Sequence, residues 1–149
     1  MPKPLLTVDL IEEQPLPIAA VLVHDALESA FVTFRPPTLT AATVEVLVTG
    51  DGRMQALNRD HRGVDATTDV LSLPTAIDTQ AGHVIPAANG QLSLGTIVIS
   101  LPQAERQVGR FGDTLEAELV GLASHGLRHL LGHDHDDDGT WLGEPPLVQ

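Results

Sequence analysis

The 149-residue chain has no cysteine. That excludes disulfides, a thiolate metal site and a thiol nucleophile, so any transition metal must be held by imidazole or carboxylate. Aromatic residues make up only 3% of the chain, against a hydrophobic share of 42%. The core must therefore be built from Leu, Val, Ile and Ala. Positive charge is scarce as well: eight Lys and Arg stand against twenty Asp and Glu, for a formal charge of −12 and a pI near 4.7. This balance argues against broad, non-specific coating of nucleic acid. No apolar run approaches membrane-spanning length, and the amino-terminal M-P-K-P-L-L-T-V-D-L lacks the apolar core of a signal peptide. The expectation is a soluble cytoplasmic protein with no membrane partner. The few cations do cluster, however. Arg53, Arg59 and Arg62 fall together, and Arg106, Arg110 and Arg128 lie nearer the carboxy-terminal histidines. A local anion-binding groove on an acidic protein remains open.

The length fits one domain over residues 1–149, large enough for a real core. Residues 4–10 alternate like a short strand. From about Ile18 to Phe34 the apolar residues Ala20, Val21, Ala26, Leu27 and Phe31 recur at helical spacing, and Pro36-Pro37 closes that element. T-V-E-V-L-V-T at 43–49 reads as a strand. Gly50-Asp51-Gly52 reads as a turn before a short helix through M-Q-A-L-N-R-D. V-L-S-L at 70–73 is a short strand ended by Pro74. Residues 75–92 form a long loop or irregular hairpin, and G-T-I-V-I-S at 95–100 is a dense central strand. Ser100 caps a helix with Pro102 in its first turn, running to about Phe111. Asp113 and Glu116 have capping-box spacing for a further helix, whose stripe is Leu115, Leu119, Leu122, Ala123, Gly126 and Leu130. The tail beyond His135 reads as loosely held. The whole is an α+β domain: a small mixed sheet of about four strands packed with helices, with a metal-binding helix near the carboxy terminus.

That helix carries the chemistry. In H-G-L-R-H-L-L-G-H-D-H at 125–135, His125 and His129 leave one helical face about one turn apart. Gly132 offers the left-handed residue that ends a helix and turns the chain, bringing His135 round. Three converging imidazoles leave the fourth tetrahedral position of a zinc ion open, the arrangement of a catalytic site. The same ligand frame occurs in metzincin proteases, which need a Glu directly after the first His as general base. Here that position is Gly126, which has no side chain and argues against that chemistry.

The stretch closely resembles the H-G-x-L-H-L-x-G-Y-D-H signature of the YbeY family, single-strand-specific endoribonucleases that act in ribosomal RNA maturation. L-N-R-D-H-R-G at 57–63 and T-D-V-L-S-L-P at 68–74 are similar to the family's L-N-x-x-Y-R-G and T-D-V-L-S-F-P. L-G-T-I-V-I-S at 94–100 is similar to its L-G-D-I-x-I-S. These matches run in order over roughly residues 44 to 135. The resemblance implies one zinc ion per chain held by His125, His129 and His135, with Arg62 as the functional arginine. It also implies single-stranded RNA as partner, from ribosomal RNA or ribosomal subunits. Departures from the pattern are Leu73, Thr96, Arg128 and His133. Thr96 stands where the family has Asp, which leaves open the loss of a carboxylate behind the ligands.

Hydrolysis of a phosphodiester needs an activated water and a cation for the developing negative charge. Zinc lowers the pKa of a bound water toward ~7. Arg62 offers a fork suited to phosphate; its bland alternative is an ordinary surface ion pair. Arg59 and Arg128 are weaker candidates for RNA contacts, with a solvated role as the alternative. Asp134 and Asp136 to Asp138 read either as partners orienting a ligand imidazole or as a solvated acidic tail. Asp69, with Thr68 and Ser72, either shapes the groove or only forms a turn. Two rival functions stand beside the nuclease: a non-catalytic ribosome assembly factor with a structural zinc, its fourth ligand from His133 or Asp134, and a metallohydrolase with another substrate.

Overall fold

The computed structural model describes residues 5–75, 77, 78, 83, 84, 92–135 and 141. Along them run β1 (Leu5–Glu12), α1 (Ala20–Phe34), β2 (Ala41–Thr49), α2 (Asp51–Arg62), β3 (Val70–Pro74), β4 (Ile77–Asp78), β5 (His83–Val84), β6 (Leu92–Ser100), α3 (Leu101–Arg106) and α4 (Leu115–Leu130). Four strands form one mixed sheet in the order β1-β2-β6-β3. The first three are parallel, and β3 runs antiparallel to β6. β4 and β5 pair as a separate antiparallel ribbon inside the stretch expected to be a loop or hairpin. The rest of that stretch and the tail at 136–140 and 142–149 lie outside the described residues. The α+β class with a four-stranded sheet stands as expected.

Burial along β2 explains how the layers stack. Ala42, Val44 and Val46 alternate with less buried neighbours, whereas Val46 to Thr49 are buried in succession. The change marks where a second helical layer covers the other face of the sheet. On one face Val44, Val46, Val48, Ile97 and Ile99 meet Leu27 and Phe31 of α1 and Leu119, Leu122 and Leu127 of α4. On the other, Leu47, Val98 and Leu71 meet Met54 of α2. Full burial of each such side chain is worth about 1.5–3 kcal/mol. The two faces differ in size, and the larger one anchors α4.

β6 changes register once. Thr43 pairs with Ser93, yet Glu45 pairs with Thr96, so β6 carries one extra residue. The bulge falls at Gly95, whose φ of 123° few side-chain-bearing residues adopt. It puts Leu94 and Ile97 in the same core despite their odd spacing. A Cβ on Gly95 would run into the Leu73 carbonyl oxygen and lie 2.8 Å from both Pro74 Cα and Thr75 N.

Several boundaries differ from the sequence reading. α2 begins at Asp51, so Gly52 is helical and not part of a turn. The Asp51 carboxylate accepts from Arg106 first, then from the Ser100 and Thr67 hydroxyls, which hold it at a pKa of about 2 although partial burial works the other way. Ser100 holds the N-cap position of α3 as expected, but its hydroxyl donates to Asp51 and makes no cap bond to the helix. α3 ends at Arg106, short of Phe111, and the segment after it bends through Gly109 at φ 128° and Gly112 at φ 150°. The cap of α4 is Thr114, whose Oγ1 accepts from Ala117 N at 3.1 Å, and not Asp113.

Gly95→Ala is expected to lower unfolding stability by about 2–4 kcal/mol, because the methyl group meets backbone on the neighbouring strand. Urea denaturation of the variant beside wild type measures it. An unchanged midpoint would mean that the bulge relaxes without cost.

Candidate metal centre

Both ends and the middle of α4 are pinned. At the start the Thr114 cap contributes about 1 kcal/mol. At the end Gly132 takes φ 98°, its N–H donates to His129 O at 2.9 Å, and His133 N donates to Arg128 O at 3.2 Å. This left-handed reversal carries His135 back toward the helix. In the middle, Gly126 lets the helix lie close on the sheet. A Cβ there would sit 2.8 Å from Ile97 Cγ2 and 3.3 Å from Ser72 Oγ. The Ser72 hydroxyl donates to Gly126 O at 2.9 Å, tying β3 to α4 next to His125.

The three histidines converge as the spacing implied. The Nε2 atoms of His125 and His129 are 3.1 Å apart, and those of His125 and His135 are 3.3 Å apart. Tetrahedral zinc with Zn–N bonds of ~2.0–2.1 Å separates its nitrogen ligands by about 3.3–3.4 Å. The donor set thus has the size and chemistry of a divalent transition-metal site. His129 Nδ1 lies 3.0 Å from His133 O. A neutral ring donates its one N–H there, which turns the Nε2 lone pair toward the other two rings. These three residues form a group that can hold a metal ion.

Of the residues considered as a fourth ligand, His133 is turned away and Asp134 has one oxygen engaged by backbone. His133 is buried; its Nε2 donates to Phe34 O at 3.3 Å, and its ring packs edge-on against Phe34. Asp134 Oδ1 accepts from His135 N at 2.8 Å. The Trp141 ring lies 5.1 to 5.2 Å from each of the three imidazoles. The Arg128 guanidinium is stacked 3.8 Å over Trp141 and 4.2 Å over Phe34, a packing role at this site. Thr96 donates to Glu45 across the sheet face opposite α4. Its departure from the family pattern therefore removes nothing beside the histidines.

A groove of about 440 Å³ opens over the histidines. Arg62, Asp69, Arg110 and Asp134 line it with them. Arg59 and Arg128 are not among its lining residues, and Arg59 pairs with Asp60 at the surface. Sequence reasoning did not connect Arg110, Gln107 and Glu118 with this site. Arg110 Nη1 donates to Asp69 Oδ2 at 3.1 Å, and Gln107 Nε2 bridges Asp69 Oδ2 at 2.6 Å and the buried Glu118 Oε2 at 3.0 Å. Only the position of Arg110 near the His stretch hinted at any of this. Burial foremost, then the charges of His129, Arg110 and His135, push His125 down to about 4 against an opposing pull from Asp69. His129 is lowered too, chiefly by burial. Both rings are held in the neutral form that a metal requires.

Fold and site together define an α+β protein with a three-histidine group that could hold a metal ion, set in an arginine-bearing groove. A profile described as Endoribonuclease YbeY matches residues 17–141. The chain belongs to that family. A protein named Endoribonuclease YbeY from Gloeobacter violaceus is 50% identical over 102 residues, which are 68% of this chain and 50% of that one. Its namesake from Pelotomaculum thermopropionicum is 44% identical over 65% of this chain and 61% of its own length. The match thus spans less than two thirds of these relatives. The namesake from Chloroflexus aggregans is 36% identical over 87% of this chain and 82% of its own. The solved Thermotoga maritima protein TM1509 shares the fold, with a TM-score of 0.52 and 24% identity over 91% of this chain and 79% of that one.

Metal-free protein is expected to lose stability as pH falls from ~6.5 toward ~4. In that window the unfolded histidines bind protons that folded His125 and His129 do not, so protonation favours unfolding. The loss from Asp51 belongs to a lower window, from ~3.8 down to about 2. Thermal melts of chelator-treated protein across this range measure both. A flat melting temperature between pH 6.5 and 4 would contradict the depressed imidazoles.

Proposed function

We propose that this chain is a zinc-dependent endoribonuclease that cuts single-stranded RNA, working as one domain on ribosomal RNA during ribosome maturation in the cytoplasm. The observation that carries this reading is the convergence of three imidazole Nε2 atoms at the floor of a groove bearing arginine, in a chain of the Endoribonuclease YbeY family. His125, His129 and His135 would hold the zinc. When bound it supplies Lewis acidity, making a water nucleophilic near neutral pH and offsetting charge on a phosphoryl oxygen.

The chain's own residues do the rest. The His129 Nδ1 bond to His133 O keeps that imidazole oriented. Arg62, in the last turn of α2 and exposed to the groove, presents a planar fork to the scissile phosphate and to the charge that grows on it during attack. Among the described residues only His125, His129 and His135 converge as a ligand group, and His133 donates to Phe34 O instead, which supports a catalytic over a closed structural zinc.

Elemental mass spectrometry, run beside cleavage of a labelled single-stranded RNA, tests the reading. Wild type and Arg62→Ala are expected to carry one zinc per chain, and His129→Ala none. Cleavage should vanish in His129→Ala and fall on the order of 10²-fold or more in Arg62→Ala. Zinc retained by His129→Ala would refute the ligand assignment. Zinc without any cleavage in wild type would favour the assembly-factor role.

A further inference from the structure

Arg110 lies between Gly109 and Gly112, on the segment that joins α3 to α4. Its ion pair with Asp69 is asymmetric in depth: the Asp69 side chain is 14% exposed, whereas that of Arg110 is 49% exposed. The anchor is sunk and the cation is presented. Asp69 is itself fixed from several sides, by Val70 N on Oδ1 at 2.7 Å and by Gln107 on Oδ2. Gln107 in turn reaches the fully buried Glu118 of α4, the helix that carries His125 and His129. A chain of hydrogen bonds thus sets the Arg110 guanidinium relative to the metal helix. Among the described residues one of its five N–H groups donates to Asp69 at 3.1 Å and the guanidinium lies 5.0 Å from the Phe111 ring centre, which leaves a fork for an anion.

Other arginines contrast with it. Arg53 and Arg59 pair with exposed carboxylates at the surface, and Arg106 is engaged by Asp51. None of these lines the groove, whereas Arg62 and Arg110 both do. On a chain of charge −12, a phosphodiester can settle over the histidines only where local cations offset Asp69 and Asp134. We propose that Arg110 is a second substrate-contacting cation, seated by Asp69 so that RNA bound over the three histidines meets two guanidinium groups. This rests on the reading of the groove as an RNA site.

The test is equilibrium binding, which does not depend on turnover. Zinc-supplemented full-length protein is titrated against a fluorescein-labelled, single-stranded 2′-O-methyl oligonucleotide between ~50 and ~200 mM salt. Each phosphate contact on a single strand contributes a slope of about −0.7 in log K against log salt. Arg110→Ala is expected to lose about one such contact. Arg110→Lys should keep the slope but bind less tightly, since a point charge replaces the fork. Arg53→Ala removes the same charge outside the groove and should leave the slope as in wild type. Wild-type binding with equal slopes for Arg110→Ala and Arg53→Ala would overturn the role of Arg110 and leave the nuclease reading standing. No salt-dependent binding by wild type would overturn the RNA site and this role with it.

Discussion

The closeness of α4 to the sheet at Gly126 governs the rest of the site. Hydrogen at that position allows the helix backbone to approach Ile97, and the Ser72 hydroxyl closes the gap by donating to Gly126 O. His125 is the preceding residue, so its height above the groove follows from this one contact. His129 follows by helical geometry, and His135 by the turn at Gly132. Substitution at Gly126 would lift His125 and His129 together, because both ride on α4. The glycine that excludes a protease-type general base is thus also the residue that lets the metal helix dock.

The electrostatics follow from the same docking. The chain is strongly acidic overall, yet two of the imidazoles at the groove are kept from taking up protons. Burial keeps His125 and His129 from protonating, which favours metal over proton. The nearby Asp69 carboxylate is met by Val70 N, Gln107 and Arg110, so its charge is largely compensated within the protein. Arg128 is stacked between Phe34 and Trp141 and stiffens the wall behind the histidines. His133 does similar work at the end of α1. Charge count alone did not separate these roles, because what a cation does depends on whether its partner is sunk or exposed.

Local features were legible from residue order. The four principal strands, α1 and the helical frame of the histidines each depend on periodicities of two or 3.6, which sequence displays directly. Helix ends were less legible. Asp113 and Thr114 both look like caps, and only the direction in which the chain enters α4 selects Thr114. Ser100 looked like a cap for α3, yet the carboxylate of Asp51, 49 residues away in the chain, takes its hydroxyl. The apolar face of α4 is also wider than its periodicity implies: Leu127, outside the expected stripe, is fully buried in the core.

By itself the sequence determined the three-histidine frame, because two histidines a helical turn apart and a glycine before the third are matters of local backbone geometry. It also carried the family motifs around Arg62. Tertiary structure alone decided which other side chains join that frame. The bulge at Gly95 sends Thr96 to the far face of the sheet. The pairing of Arg110 with Asp69 joins residues 41 apart in sequence, and Glu118 and Gln107 meet only once α4 packs beside α3. Such contacts form where separate elements are pressed together over a shared core, and no local periodicity encodes them.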